Sequence, residues 1–137
     1  QCAPRLSRDR LVLASDLSEP LPALQGDPFL LRQALVNLIE NAADFSPPGA
    51  TIRLRALSDA GRVRFEVDDE GPGVPDYALS RVFERFYSLP RPHGGSRSSG
   101  LGLCFVAEVA ALHEGRAELH NREAGGARAS LEIPAAL

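Results

Sequence analysis

The chain has 137 residues, of which 44% are hydrophobic and 24% charged, as is typical of one globular domain. Its 15 basic residues are outnumbered by 18 acidic ones, and this balance disfavours a nucleic-acid-binding protein, which usually carries a basic surface. All the basic residues are Arg, so functions that need a catalytic or phosphate-binding lysine are excluded.

The first part of the chain is irregular and polar over residues 1–10, and residues 11–14 then predict an edge strand. No apolar run approaches the roughly 20 residues of a membrane-spanning helix, and no signal peptide is recognisable. Cys2 and Cys104 lie in such different settings that we expect two reduced thiols. Because the chain contains no Met, we expect it to be part of a longer protein.

Residues 27–49 predict one helix of about 18 residues, with Asp27 as its N-cap and Pro28 at the first helical position. The Ser-Pro-Pro-Gly sequence at residues 46–49 ends it. Apolar side chains cover most of its circumference, as in a buried helix. One polar stripe remains at helical spacing, formed by Gln33, Asn37, Glu40, Asn41 and Asp44. The stripe is either a narrow solvated face or the floor of a pocket for a cation or polar ligand.

Two alternating segments, residues 51–57 and 63–67, predict an antiparallel hairpin with one face in the core and an Arg-rich face in water. The second strand is followed by an acidic, glycine-containing segment that includes Asp69, Gly71 and Gly73. This segment is either a surface turn or a ligand-binding loop.

The remaining elements are a short helix, a loop, a third helix and a second hairpin. The short helix is predicted over residues 77–85, and residues 88–99 form a Pro-, Gly- and Ser-rich loop, either a linker or a lid. The third helix begins at residue 100, and the hairpin follows at residues 117–120 and 128–133. This order predicts an α+β fold with a mostly antiparallel sheet and helices on one face.

Three polar features could combine into one site: the helix stripe, the Asp69 loop, and the glycines Gly100 and Gly102. Glycines at a helix N-terminus let backbone N–H groups approach phosphate, which the helix dipole also favours. Asn and carboxylate oxygens suit Mg²⁺, and an Asp at a strand end can accept a hydrogen bond from the amino group of a base. Together these features predict a nucleotide site.

Four motifs, in this order, resemble those of sensor histidine kinase ATP-binding domains. They are NLIENA at residues 37–42 (the N box), DEGPG at 69–73 (the first glycine box), VFERFY at 82–87 (the F box) and SGLGL at 99–103 (the second glycine box). The resemblance spans residues 27–134. It implies a single ATP-binding domain over residues 1–137 with a Bergerat-type fold. That fold is a two-layer α/β sandwich whose mixed, mostly antiparallel sheet has about five strands and three helices packed on one face.

The resemblance implies ATP and Mg²⁺ as ligands and gives roles to individual residues. Asp69 would hold the adenine amino group, in a slot shaped by Phe45, Gly71, Gly73 and Val74. Asn41, with Asn37, would coordinate Mg²⁺. Glu40 would either polarise the acceptor histidine or support the residues that contact the ligand. Residues 88–99 would be the ATP lid, and the remaining ATP-binding positions would be Arg85, Tyr87, Ser99, Gly100, Leu101, Gly102 and Leu103. Arg85 is alternatively a helix-surface Arg.

Two features do not match the resemblance. Family members usually carry a cation where this chain has Asp44, so a phosphate-binding role does not carry over to that position. The acceptor histidine of such kinases lies on a dimerising helical hairpin. None of His93, His113 and His120 has that setting, so we expect the acceptor hairpin to lie outside these 137 residues.

The resemblance implies the catalytic domain of a two-component sensor histidine kinase, which transfers the γ-phosphoryl group of Mg·ATP to a histidine on a separate dimerisation domain. We expect this piece to be a monomer with little turnover, on the cytoplasmic side of an inner-membrane sensor, acting indirectly on a response regulator and not on nucleic acid. A non-transferring ATP-sensing module and a hydrolase resembling gyrase or the mismatch-repair ATPases are the alternatives. Those hydrolases place a water-activating Glu where this chain has Asn37, which favours transfer.

Overall fold

The computed structural model of the chain describes residues 12–17, 26–59, 61–84 and 102–134. Within these ranges five strands form one sheet, accompanied by three helices. The elements in chain order are β1 (Val12–Leu17), α1 (Pro28–Phe45), β2 (Thr51–Asp59), β3 (Arg62–Asp68), α2 (Asp76–Leu79), α3 (Gly102–Leu112), β4 (Arg116–Asn121) and β5 (Ala127–Pro134).

The strands lie in the order β1-β2-β3-β5-β4. β1 is parallel to β2, with Val12 opposite Thr51, whereas all other neighbouring strands are antiparallel. The α+β fold with a mixed, mostly antiparallel sheet of five strands is thus confirmed. β1 ends at Leu17, three residues beyond the predicted strand, and its parallel pairing follows from the crossover through α1.

Both ends of α1 follow from the local sequence. Asp27 caps the helix, since its Oδ1 accepts hydrogen bonds from the N–H groups of Phe29 (2.9 Å) and Leu30 (3.3 Å). Pro28 occupies the first helical position, and Ser46 follows the last residue. The predicted helix and both of its ends are confirmed.

A histidine ties the start of α1 to the end of α3. His113 is half-buried; its Nε2 accepts a hydrogen bond from the Asp27 N–H (3.1 Å), and its Nδ1 lies 2.7 Å from the Val109 carbonyl oxygen. The neutral tautomer that donates from Nδ1 satisfies both contacts. This side chain therefore helps fix how the two long helices pack, rather than standing free on the surface.

The helices cover one face of the sheet and enclose the core. Each large side chain buried there contributes roughly 2 kcal/mol through removal of apolar surface from water. Fully buried members of this core include Leu38, Ile52, Val67, Val106, Val109, Leu131 and Ile133. The opposite face carries alternating Arg and acidic side chains joined by ion pairs: Arg55–Glu66, Arg64–Glu66, Arg64–Glu132, Arg62–Glu132 and Arg128–Asp68.

The short helix ends earlier than predicted. α2 ends at Leu79 instead of continuing to residue 85, because the chain goes on in tight turns in which the N–H groups of Arg81 and Glu84 bond to carbonyls only three residues earlier. Ala78 of α2 is fully buried in the core. Among the described helices, none combines the length and apolarity required to cross a bilayer.

Candidate functional site

The polar stripe of α1 lies on the helical side of the sheet at the edge of the core. Gln33, Asn37, Asn41 and Asp44 are half-buried, and Glu40 is exposed. The Asn41 amide makes no hydrogen bond to any described residue, although it is partly removed from water. A half-buried amide with unused donors and an unused acceptor is suited to a polar ligand.

Asn37 connects the stripe to the start of α3. Its Nδ2 donates to the Gly102 carbonyl oxygen (3.2 Å), and its Oδ1 accepts from the Gln33 side chain (2.9 Å). Two motifs that are 65 residues apart in sequence are therefore adjacent in space. Gln33, another residue of the stripe, thus orients Asn37.

Residues at the start of α3 leave room beside the stripe. A Cβ atom added at Gly102 would meet no atom of the described residues within 4 Å. Leu103 is half-buried and packs against the core. Arg85, Tyr87, Ser99, Gly100 and Leu101 lie outside the described residues, as does the predicted lid at residues 88–99, and their roles stay predictions.

Asp69 follows β3 directly and is 6% exposed. Its Oδ1 accepts hydrogen bonds from the N–H groups of Gly71 (2.9 Å) and Ala127 (3.0 Å), while no described residue donates to its Oδ2. Burial raises the pKa of the Asp69 carboxyl above its ordinary value, and the two N–H donors oppose that shift. The carboxylate is thus rigidly held with one oxygen left for a ligand.

Gly71 brings the loop after Asp69 against the end of α1. A Cβ atom at this position would lie 2.4 Å from the Phe45 carbonyl oxygen. Because that oxygen belongs to the backbone, the clash could be removed only by shifting the chain, so the position requires glycine. The Glu70 N–H also donates to the Ser46 hydroxyl oxygen (3.2 Å). Phe45, which lies one helical turn after Asn41, is therefore next to the Asp69 loop.

Four further residues, none of which belongs to the four motifs, hold this loop. The N–H of Ala127 and the guanidinium of Arg122 contact Asp69, the latter by donating from Nη1 to the Asp69 carbonyl oxygen (3.0 Å). A Cβ atom at Gly126 would lie 2.1 Å from that same oxygen. Asn121 contacts Val74. In the sequence only the Gly125-Gly126 pair marks this region, and that pair indicates a hairpin turn without indicating a contact with Asp69.

A cleft of about 420 Å³ lies on the other side of the Asp69 loop. It is lined by charged groups of the outer sheet face and by the β4–β5 turn, and it includes no residue of α1 or α3. Its walls are formed by Thr51, Arg53, Asp68, Glu70, Gly71, Arg122, Ala124, Gly125 and Gly126. The cleft thus shares Gly71 with the Asp69 loop but is lined by none of Asn37, Asn41 and Asp69. Within the described ranges, no group of three or more His, Cys, Asp or Glu side chains is arranged to hold a metal ion.

Comparisons with known proteins give one consistent family. Residues 26–137 match the family described as histidine kinase-, DNA gyrase B-, and HSP90-like ATPase. The sensor protein CreC of Escherichia coli strain K12 is 55% identical over 107 residues, which cover 78% of this chain and 22% of that protein. The sensor histidine kinase GtrS of Pseudomonas aeruginosa is 37% identical over 132 residues, 96% of this chain and 26% of its own length.

Solved structures agree with this family. Full-length ShkA in complex with AMPPNP has a TM-score of 0.82 at 34% identity, covering 98% of this chain and 28% of that one. The ATP-binding domain of PrrB from Mycobacterium tuberculosis has a TM-score of 0.72 at 36% identity, covering 98% and 87%. The chain spans only about a fifth of the length of the curated relatives it matches first, 22% of CreC and 17% of the circadian kinase CikA.

Proposed function

The chain belongs to the family of histidine kinase-, DNA gyrase B- and HSP90-like ATPases, as an ATP-binding catalytic domain homologous to those of sensor kinases, and we propose that it binds Mg·ATP between α1, α3 and the Asp69 loop. The bound γ-phosphoryl group is transferred to a histidine on a separate dimerisation domain. The observation that carries this proposal is the buried Asp69 carboxylate, whose Oδ1 is fixed by two N–H groups while Oδ2 has no donor among the described residues.

The adenine end of the site is formed by Asp69 and its loop. The Oδ2 atom accepts a hydrogen bond from the adenine amino group, and because the carboxylate is already immobilised, little entropy is lost on binding. Gly71, Gly73, Val74 and Phe45 shape the slot for the ring. The close approach of Gly71 to the Phe45 carbonyl supports this arrangement, since it keeps side-chain bulk out of the slot.

The phosphate end is formed by the α1 stripe and the start of α3. Asn41, with its unengaged amide, and Asn37 hold Mg²⁺ through their side-chain oxygens, and the ion neutralises phosphate charge when bound. We assign phosphate binding to the backbone N–H groups of Gly100, Leu101, Gly102 and Leu103, because a helix N-terminus favours negative charge. The proposal also assigns Arg85, Tyr87, Ser99 and an ATP lid at residues 88–99 to this end, and of all these residues only Gly102 and Leu103 belong to the part of the chain that the structure describes.

Transfer requires an acceptor from outside the site. The acceptor imidazole nitrogen attacks the γ-phosphorus, so that an N–P bond forms as the bond to the leaving ADP oxygen breaks. Glu40 is exposed on α1, which suits a carboxylate that accepts a hydrogen bond from the other nitrogen of that imidazole. The catalytic contribution of this domain is otherwise positioning and charge stabilisation.

The Asn37 contact favours transfer over hydrolysis. The Nδ2 atom of Asn37 donates to the Gly102 carbonyl oxygen, a bond that a water-activating carboxylate at this position could not make. An ATP-sensing module without transfer remains the second candidate because Asp44 places a carboxylate where the family carries a cation.

The physiological partners follow from the proposed kinase role. They are the protein's own acceptor-histidine dimerisation domain and, indirectly, a response regulator, with the domain on the cytoplasmic side of an inner-membrane sensor. The 137-residue chain alone is a monomer that binds ATP and turns it over slowly.

One assay separates these functions. The chain is mixed with ATP carrying a γ-³²P label, with Mg²⁺, and with a separately prepared acceptor hairpin. Acid-labile label on the hairpin supports the kinase, free phosphate the hydrolase, and binding without either product the sensing module. The same assay with Glu40→Gln should lose transfer while ATP binding is retained.

A further inference from the structure

The Asp69 loop leaves the sheet at Asp69 and pairs with no described strand up to Val74. Gly73 adopts a φ of +83°, in the left-handed region that favours glycine. A loop with such a turn would be free to shift unless its far end were attached. The Val74 backbone is the attachment point.

Asn121, the last residue of β4, makes that attachment with both ends of its side-chain amide. Its Oδ1 accepts from the Val74 N–H (2.7 Å), and its Nδ2 donates to the Val74 carbonyl oxygen (2.8 Å). The amide thus bonds to Val74 in the way that the backbone of a neighbouring strand would, because it offers one donor and one acceptor. The side chain makes no other hydrogen bond with the described residues.

The fit between Asn121 and the loop is close. A Cβ atom added at Gly73 would lie 2.9 Å from Asn121 Oδ1, so the amide fills space that only glycine leaves open. Arg122, the next residue, donates to the Asp69 carbonyl oxygen at the beginning of the loop. The last residue of β4 and the residue after it therefore hold the two ends of the loop, 47 and 53 positions away in sequence.

We propose that Asn121 is a positioning residue that sets the width of the base slot by fixing the backbone of Val74, and so favours adenine over guanine. This inference rests on the proposed ATP-binding function. Asn121 acts through the loop and does not touch the nucleotide. A shift of Val74 alters the distance between the slot and the Asp69 carboxylate, on which recognition of the adenine amino group depends.

The test compares the 137-residue chain with its Asn121→Ala and His120→Ala variants. His120 is the neighbouring exposed residue and only approaches Glu118 (3.7 Å) on the outer face, so it is the matched control. Amide hydrogen exchange of Val74 is measured without nucleotide, and ATP and GTP affinities are measured by calorimetry. Loss of the paired hydrogen bonds should speed Val74 exchange about tenfold and weaken ATP binding about tenfold, with GTP binding unchanged.

Two results would overturn the inference: unchanged Val74 exchange in Asn121→Ala, or equal losses of ATP and GTP affinity. General destabilisation is recognised by faster exchange at Val67, in the centre of the sheet, and counts against a positioning role. If the unsubstituted chain bound no ATP, the proposed function would fail, while Val74 exchange in the free protein would still decide whether Asn121 holds the loop.

Discussion

Asp68 and Asp69 are neighbours in sequence and both are buried, yet they face opposite sides of the sheet and have opposite surroundings. Asp68 is 4% exposed and pairs with Arg128 through two hydrogen bonds, Nε to Oδ1 at 2.7 Å and Nη2 to Oδ2 at 3.0 Å. Asp69 is 6% exposed, and among the described residues only the N–H groups of Gly71 and Ala127 donate to its carboxylate.

The two surroundings distinguish a carboxylate whose oxygens are both engaged by an Arg from one whose Oδ2 accepts no hydrogen bond from a described residue. Asp68 raises the pKa of Arg128 by hydrogen bonding and charge, as expected for a satisfied ion pair. The pKa of Asp69 is raised chiefly by burial, which means that its charge is incompletely compensated. A buried carboxylate of that kind costs stability and is expected where function requires it.

The substitution with the largest expected effect is Asp69→Asn, which tests the role of Asp69 in ATP binding. The amide oxygen is expected to keep the two N–H donors of Gly71 and Ala127, so the amide nitrogen takes the place of Oδ2 and presents a donor to the adenine amino group. We expect ATP affinity to fall about 100-fold with the fold retained. Calorimetric titration with ATP measures this, and wild-type affinity in the variant would contradict the assigned role of Asp69.

Asp68→Asn should produce the opposite pattern. Arg128 would lose its nearest charge partner and keep only the more distant Glu66 (3.8 Å), so the free energy of unfolding should fall by about 2 kcal/mol, a discounted value because Arg128 is partly exposed. Urea denaturation measures the loss, and ATP affinity should be nearly unchanged. A large loss of ATP affinity without a loss of stability would show that the two carboxylates do not divide their roles in this way.

Asn41→Ala tests the phosphate end of the site. Removing the amide oxygen should weaken Mg·ATP binding about tenfold and abolish most of the gain in affinity that Mg²⁺ provides. Gln33→Ala, on the same stripe, is the control and should retain the Mg²⁺ dependence. Titrations with and without Mg²⁺ check both variants, and an unaltered Mg²⁺ effect in Asn41→Ala would disprove the metal assignment.

The pH dependence of stability tests the effect of burial on the Asp69 carboxyl. Since the folded pKa of Asp69 is raised above its ordinary value of 3.8, its contribution to stability is fully present below that value and is lost as pH rises through the folded pKa. Unfolding free energies of the wild type and Asp69→Asn should therefore converge toward acid and separate with rising pH, the wild type losing more. A constant difference across this range would contradict the burial effect.

The smallest expected effect comes from the outer face. Arg116 is 66% exposed and lies 3.7 Å from Glu118 and 3.8 Å from Glu132, so water screens both pairs. Arg116→Ala should change the free energy of unfolding by only about 0.3 kcal/mol. A loss above about 1 kcal/mol in thermal or urea unfolding would mean that exposed and buried pairs of this face act as one network.

Local patterns in the sequence predicted much of the fold. The caps of α1 and the two antiparallel hairpins were predicted because their determinants lie within a few residues of one another. The parallel pairing of β1 with β2 was not predicted, since it depends on contacts across the whole of α1. The short helix was predicted too long because the apolar residues after Leu79 continue in turns rather than in helical geometry.

The site was predicted mainly from its motifs, and its supporting residues were missed. Asp69, Gly71 and Asn41 belong to recognisable motifs, whereas Asn121 and Ala127 contact the loop from 47 and 58 positions away. An Asn at the end of a strand is compatible with many roles, so only the three-dimensional arrangement identifies its partner. The assigned roles of the motif residues in ATP binding stay predictions.

The central claim is that Mg·ATP binds on the helical side of the sheet, between Asn41 and the Asp69 loop. Titrating the ¹⁵N-labelled chain with Mg·ATP and following amide chemical shifts tests this directly. The account predicts the largest saturable changes at Asn41, Asp69 and Gly71, with Arg64 and Glu132 on the outer face unchanged. Changes concentrated on the outer face, or no saturable change at all, would contradict it.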